Sequence, residues 1–211
     1  MDFILFLPIL IFSVIAHEFA HGYAAFRCGD DTAYLLGRLN FNPLKHIDLI
    51  GTVIVPLVLF MLNAPLFGWA KPVPVNYYRL RGGRKDIAYV SFAGPLTNIL
   101  LMLAAALIFK FTLTFAPGSL IALKLLFYTI MINLVLAVVN LVPVPPLDGS
   151  KILAYFLPQQ AAAKYLSLER YGFLILMVLV VTGVFGRIIT PAFNFIFSLI
   201  INFIGVPYGA Y

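Results

Sequence analysis

Residues 1–21 read MDFILFLPILIFSVIAHEFAH. An apolar run whose one charge is Asp2 passes straight into His17-Glu18-Phe19-Ala20-His21, and the helical pattern continues to about Phe26. Two histidines four apart on a helix share a face, so both can hold one metal ion. The glutamate between them points near the same metal and can act as a base. In an apolar helix, such a centre would do its chemistry within a bilayer. The run imitates a signal peptide, yet it has no positive n-region, and cleavage would strand the histidines. It is expected to remain as a first span.

The rest of the chain agrees with that setting. Of its 211 residues, 63% are hydrophobic and 10% charged, with a mean hydropathy of +1.02; soluble domains average roughly 25% charged. This excludes a soluble globular domain and points to an all-α polytopic membrane protein with about five to six transmembrane helices. One integral-membrane domain is expected over residues 1–211, with a catalytic core at about 3–157 and C-terminal helices at about 171–205. The net charge of +6 is assigned to basic cytoplasmic loops rather than to nucleic-acid binding. A single cysteine, Cys28, leaves no internal disulfide.

Five segments are predicted to span: about Phe3–Phe26, Ile87–Phe109, Ile121–Leu141, Tyr171–Gly186 and Thr190–Ile204, the last opened by Thr190 as N-cap and Pro191 at the first helical position. A sixth apolar stretch, Leu49–Trp69, contains Pro56, Asn63 and Pro65 and runs into Lys71-Pro72-Val73-Pro74. These residues favour extended backbone, so a re-entrant or extended membrane segment is expected at about 49–76. Residues 158–170 are expected at the interface, with Lys164, Glu169 and Arg170 facing water.

A catalytic zinc site commonly takes three protein ligands and keeps a fourth position open. His46 lies in a polar loop and reads as a histidine at the membrane edge. Asp148 is the better third ligand. It follows an apolar helix ended by Pro143, Pro145 and Pro146, and Gly149 allows a tight turn, so a carboxylate can stand among apolar walls. A carboxylate beside a membrane helix needs a partner, and a metal supplies one. A zinc ion balanced by ionised Glu18 and Asp148, with neutral His17 and His21, makes a neutral cluster, which offsets the cost of charge in apolar surroundings.

For the two halves to meet, the helices must be placed consistently. His17 lies about 21 Å along a helix that begins near Phe3, toward its far end. Asp148 follows the end of Ile121–Leu141, so that helix must finish on the same side. Residues 27–86 must then start and finish there, and Leu49–Trp69 must dip in and return. This arrangement leaves only Lys110, Lys124 and Arg187 on the opposite side, eleven basic residues against three; a crossing at 49–69 would give eight against six. The positive-inside rule names the richer side the cytoplasm, places the N-terminus outside and sets the site toward the cytoplasmic face.

His17-Glu18-Phe19-Ala20-His21-Gly22, Ala93-Gly94-Pro95-Leu96-Thr97-Asn98 and the stretch from Asn140 to Asp148-Gly149 together resemble the site-2 protease family of intramembrane zinc metalloproteases. Residues 68–76 also look like a compact prokaryotic branch of it, without PDZ or CBS domains. The resemblance implies one zinc ion held by His17, His21 and Asp148, with Glu18 as catalytic base. It also implies that Asn140 lies near the metal and helps to hold the substrate carbonyl. The expected function is hydrolysis of peptide bonds within or near transmembrane segments of membrane-protein substrates. The expected location is a prokaryotic cell membrane. Such a substrate must unwind, and Val73–Tyr78 is the candidate edge for it to pair with. Gly94-Pro95 is expected to kink its helix or pack it closely. The residues leave two alternatives open: a membrane metal transporter, and a catalytically inactive metal-binding scaffold. No second ionisable cluster or inverted repeat supports the transporter, and the intact Glu18 speaks against the scaffold.

Overall fold

The computed structural model describes residues 2–205 apart from residues 47, 49–50, 52–53, 55–57, 59–60 and 62–70. The expected hairpin at Leu49–Trp69 therefore lies almost wholly outside the described residues. Those described are helical, with no strand among them: α1 Asp2–Arg27, α2 Thr32–Leu35, α3 Arg84–Phe115, α4 Leu120–Leu141, α5 Asp148–Phe156, α6 Gln159–Leu166, α7 Gly172–Val181 and α8 Val184–Ile204. Short 3-10 turns lie at Pro43–Lys45, Tyr77–Arg79 and Ser167–Tyr171.

Four of these helices are long and apolar enough to cross a membrane: Leu5–Arg27 within α1, then α3, α4 and α8. Large side chains such as Leu100, Leu103, Leu107 and Phe111 stand exposed along α3. Hydrocarbon accepts such a surface and water does not.

The C-terminal spans differ from the expectation. α7 has 10 residues, about 15 Å of helix, too short to cross a core of about 30 Å. It stops where Gly183 takes a left-handed φ of +73°, a conformation that glycine adopts without a Cβ clash. α8 then begins at Val184, not Thr190, and Pro191 lies inside it. Lipid-facing helices tolerate an internal proline where neighbours re-satisfy the freed carbonyl, so Thr190-Pro191 is no start signal here. Glu169 is exposed, as expected, and also pairs with the Lys151 ammonium at 3.1 Å.

The core forms where α3, α4 and α8 meet. Met102, Ala105, Ala106 and Phe109 pack against Ile130, Leu134 and Val138, and Ile200 and Ile204 close the third side. The alanines let the backbones approach. Lys110 donates to the Phe203 carbonyl at 2.8 Å, and its ammonium stands over the Phe203 ring, tying the end of α8 to α3. A second cluster, Ala24, Ala25, Leu80 and Val90, joins α1 to α3 at the other end, beside the histidines.

A strap, residues 71–81, runs back along α1. Asp30, fully buried, accepts from the Asn76 amide at 2.6 Å and from the Thr32 amide and hydroxyl. The Arg81 amide donates to Cys28, and Arg79 pairs with Asp31. These bonds lay the strap across the face of α1 that carries Glu18.

Candidate metal centre

His17 and His21 stand one turn apart on α1, and both rings are buried, 6% and 9% exposed. Their Nε2 atoms approach to 3.0 Å. Asp148 Oδ2 lies 3.2 Å from each. The carboxylate arrives from far along the chain because α5 starts at Asp148, directly against the end of α4. Gly149 makes that approach possible: a Cβ there would stand 2.3 Å from the Leu141 carbonyl oxygen.

Each imidazole is held from behind. His17 Nδ1 donates to Asn98 Oδ1 at 2.6 Å, and His21 Nδ1 donates to the Val90 carbonyl at 2.7 Å. A proton on Nδ1 leaves the Nε2 lone pair bare in neutral imidazole. Two lone pairs and a carboxylate oxygen thus converge on one point, and such a cluster calls for a cation. Zinc with bonds of about 2.0–2.1 Å spaces tetrahedral ligands roughly 3.3 Å apart, close to the separations seen. From α3, Gly94 faces that point, and a Cβ there would sit 2.4 Å from His21 Nε2 and 2.6 Å from His17 Nε2. The close packing expected of Gly94-Pro95 is therefore real, and its object is the histidine pair. The donor set fits a zinc ion.

Glu18, between the histidines, accepts from the Val73 amide at 2.8 Å through Oε2. The strap thus holds one carboxylate oxygen, and the other makes no hydrogen bond among the described residues. Val73 packs over Gly22, whose added Cβ would meet Val73 Cγ1 at 2.7 Å.

Two residues weighed from sequence make no hydrogen bond to this cluster among the described residues. Asn140, near the end of α4, donates to the Leu136 carbonyl one turn back, and no hydrogen bond of the cluster involves it. His46 is buried rather than at an exposed edge, with Nε2 held by the Asn40 carbonyl at 3.0 Å. Among the described residues, His17, His21 and Asp148 form the one group of His, Cys, Asp or Glu able to hold a metal. Sequence reasoning missed the Val90 carbonyl, the Val73 amide and the role of Asn98. The spacing of Gly94 and Asn98, one helical turn, was the available signal for the last.

The family model for peptidase family M50 matches residues 116–183, a stretch that holds Asp148. A Bacillus subtilis (strain 168) protein named "Putative zinc metalloprotease YwhC" is 37% identical over 190 residues, covering 88% of this chain and 84% of the relative. The chain belongs to peptidase family M50, the site-2 protease family. The Rip2 protein of Mycolicibacterium smegmatis, named in the same terms, is 30% identical over 187 residues, 88% of this chain and 70% of the relative. Methanocaldococcus jannaschii MJ0611, also so named, is 44% identical over 101 residues, 47% of this chain and 51% of the relative. No solved structure gives a significant match. In this M50 peptidase, the histidines lie outside the span that the family model matches, and the fold brings them to Asp148.

Proposed function

We propose that this M50 peptidase is an intramembrane zinc endopeptidase that cuts membrane-protein substrates within or near a transmembrane segment. The observation that carries this reading is the convergence of His17, His21 and Asp148 beside Glu18, with the histidines and Glu18 on a helix long and apolar enough to lie in a bilayer. His17, His21 and Asp148 hold one zinc ion. When bound, zinc polarises a carbonyl and makes a water acidic enough to attack at neutral pH.

Glu18 is the general base. Its Oε2 is tethered by the Val73 amide, so Oε1 takes the proton of the attacking water. The water oxygen bonds to the scissile carbon, the C–N bond breaks, and Glu18 hands its proton to the leaving amine. Asn140 holds the carbonyl oxygen after its amide turns from Leu136. The substrate lies extended beside Val73–Tyr78. Residues 71–76 have no regular structure of their own; the Val73 and Asn76 amides are taken by Glu18 and Asp30 and a 3-10 turn starts at Tyr77, so the Val75 amide is the donor offered to the substrate. The site faces the cytoplasm of a prokaryotic cell membrane, with the N-terminus outside, as the distribution of basic residues favours.

The test is reconstitution of the pure protein in liposomes with a single-span substrate, with and without a chelator. Cleavage should need the metal and vanish in Glu18→Gln, while zinc stays bound. Turnover by Glu18→Gln would remove Glu18 as base. Zinc flux without cleavage would favour a transporter, and zinc binding without either would favour a scaffold.

A further inference from the structure

Asn98, Asn133 and Ser13 are fully buried, at 0% exposure, between α1, α3 and α4, and they form a chain of hydrogen bonds behind His17. An amide side chain can point either way round, so its direction must be set by its neighbours. Here backbone carbonyls, which only accept, set it. Asn133 faces the Thr129 carbonyl at 2.8 Å, so the atom there is its Nδ2, which also donates to Ser13 Oγ at 2.9 Å. Asn133 Oδ1 is thereby turned to Asn98 and can only accept. The atom of Asn98 facing it at 2.8 Å is then Nδ2. The Ser13 carbonyl, 3.4 Å from the same nitrogen, demands the same orientation. Asn98 Oδ1 is left for His17, and an oxygen can only accept. His17 must carry its proton on Nδ1, and its Nε2 lone pair is delivered toward His21 and Asp148.

We propose that Asn133 is a positioning residue of the metal centre: acting through Asn98, it sets His17 in the tautomer that presents a bare Nε2. The inference rests on the reading of His17 as a metal ligand. Asn133 touches no ligand atom itself. His21 reaches the same state by a shorter route, through the Val90 carbonyl. Without its two fixed amides, His17 would be free to place its proton on Nε2 and donate to Asp148, and the site would lose a ligand. Outer partners of this kind are worth about 10- to 100-fold in metal affinity.

The experiment is a pair of measurements on the detergent-solubilised full chain. Ring 15N shifts of His17, taken metal-free at a pH where the imidazoles are neutral, report which nitrogen holds the proton. Competition with a chelator reports zinc affinity. The expected wild-type result is a His17 proton on Nδ1. Asn133→Leu should give mixed tautomers and lose about tenfold or more in zinc affinity. Asn133→Asp, kept neutral by its full burial, donates its carboxyl O–H to the Thr129 carbonyl and still offers an oxygen to Asn98 Nδ2. It should keep the wild-type tautomer and stay within about threefold in affinity, a separation that loss of packing alone would not produce. A His17 proton on Nε2 in the wild-type protein overturns the proposal whether or not the variants fold. So does Asn133→Leu with both readouts unchanged, or Asn133→Asp behaving like Asn133→Leu. If the 15N spectra sort as expected while no form binds zinc, the metal reading fails and the role of Asn133 in setting the tautomer stands.

Discussion

Gly94→Ala adds one methyl group at the most crowded point of the molecule. On the described backbone that methyl carbon would stand 2.4 Å from His21 Nε2 and 2.6 Å from His17 Nε2, where ordinary contact begins at 3.4 Å. About 1 Å must come from somewhere. α3 cannot supply it cheaply, because Gly94 is buried at mid-helix beside packed α1. The imidazoles must give way, and each is pinned from behind by Asn98 or Val90. Metal sites tolerate ligand displacements of only about 0.2 Å, so the variant loses at least one histidine bond. The expected fall in zinc affinity is at least about 100-fold, or ~2.7 kcal/mol. The fold should survive, because overpacking of about 1–3 kcal/mol is partly offset by alanine's better helix propensity, worth about 1 kcal/mol. Chelator competition for zinc, run beside helix content by circular dichroism, checks both parts. Zinc affinity within about threefold of wild type, with the helices intact, would falsify the placement of Gly94 over the ligand atoms.

Val73→Pro removes the amide that holds Glu18. Pro72 and Pro74 on either side already favour the extended backbone that proline needs. Losing a hydrogen bond to a charged group should lower kcat about tenfold while zinc content stays constant; wild-type kcat in reconstituted liposomes would release Glu18 from the strap. Asp148→Asn keeps the shape of the third ligand and removes its charge. Zinc affinity and cleavage should fall together, by at least about tenfold, and unchanged zinc content by metal analysis would point to a different third ligand.

Much of the site was legible because its signals are local. His17, Glu18 and His21 lie on one helix, where 3.6 residues per turn dictate that the histidines share a face. Asp148-Gly149 after three prolines announced a turn at the end of a helix, and the structure shows the close backbone approach for which that glycine is needed. The C-terminal helices were less legible. Thr190-Pro191 looks like a start, and Gly183 lies inside the expected span Tyr171–Gly186, yet the left-handed turn puts the break at Gly183. Local preference for a proline at a first turn is small beside the helix–helix contacts that hold α8 against α3 and α4.

By itself the sequence determined the chemistry on offer: a histidine pair and a carboxylate base in an apolar helix, within a chain too hydrophobic for water. Only the tertiary structure decided how that chemistry is assembled. His21 and Asp148 are 127 positions apart, and their meeting depends on α5 lying against α4. The close approach of Gly94 to the histidine pair, the clasp of Val73 on Glu18, and the chain from Thr129 through Asn133 and Asn98 to His17 also join separate elements. The physical reason is one of range. Backbone geometry sets neighbours within a turn or two of helix, whereas contacts between helices are set by packing, and no periodicity along the chain encodes them.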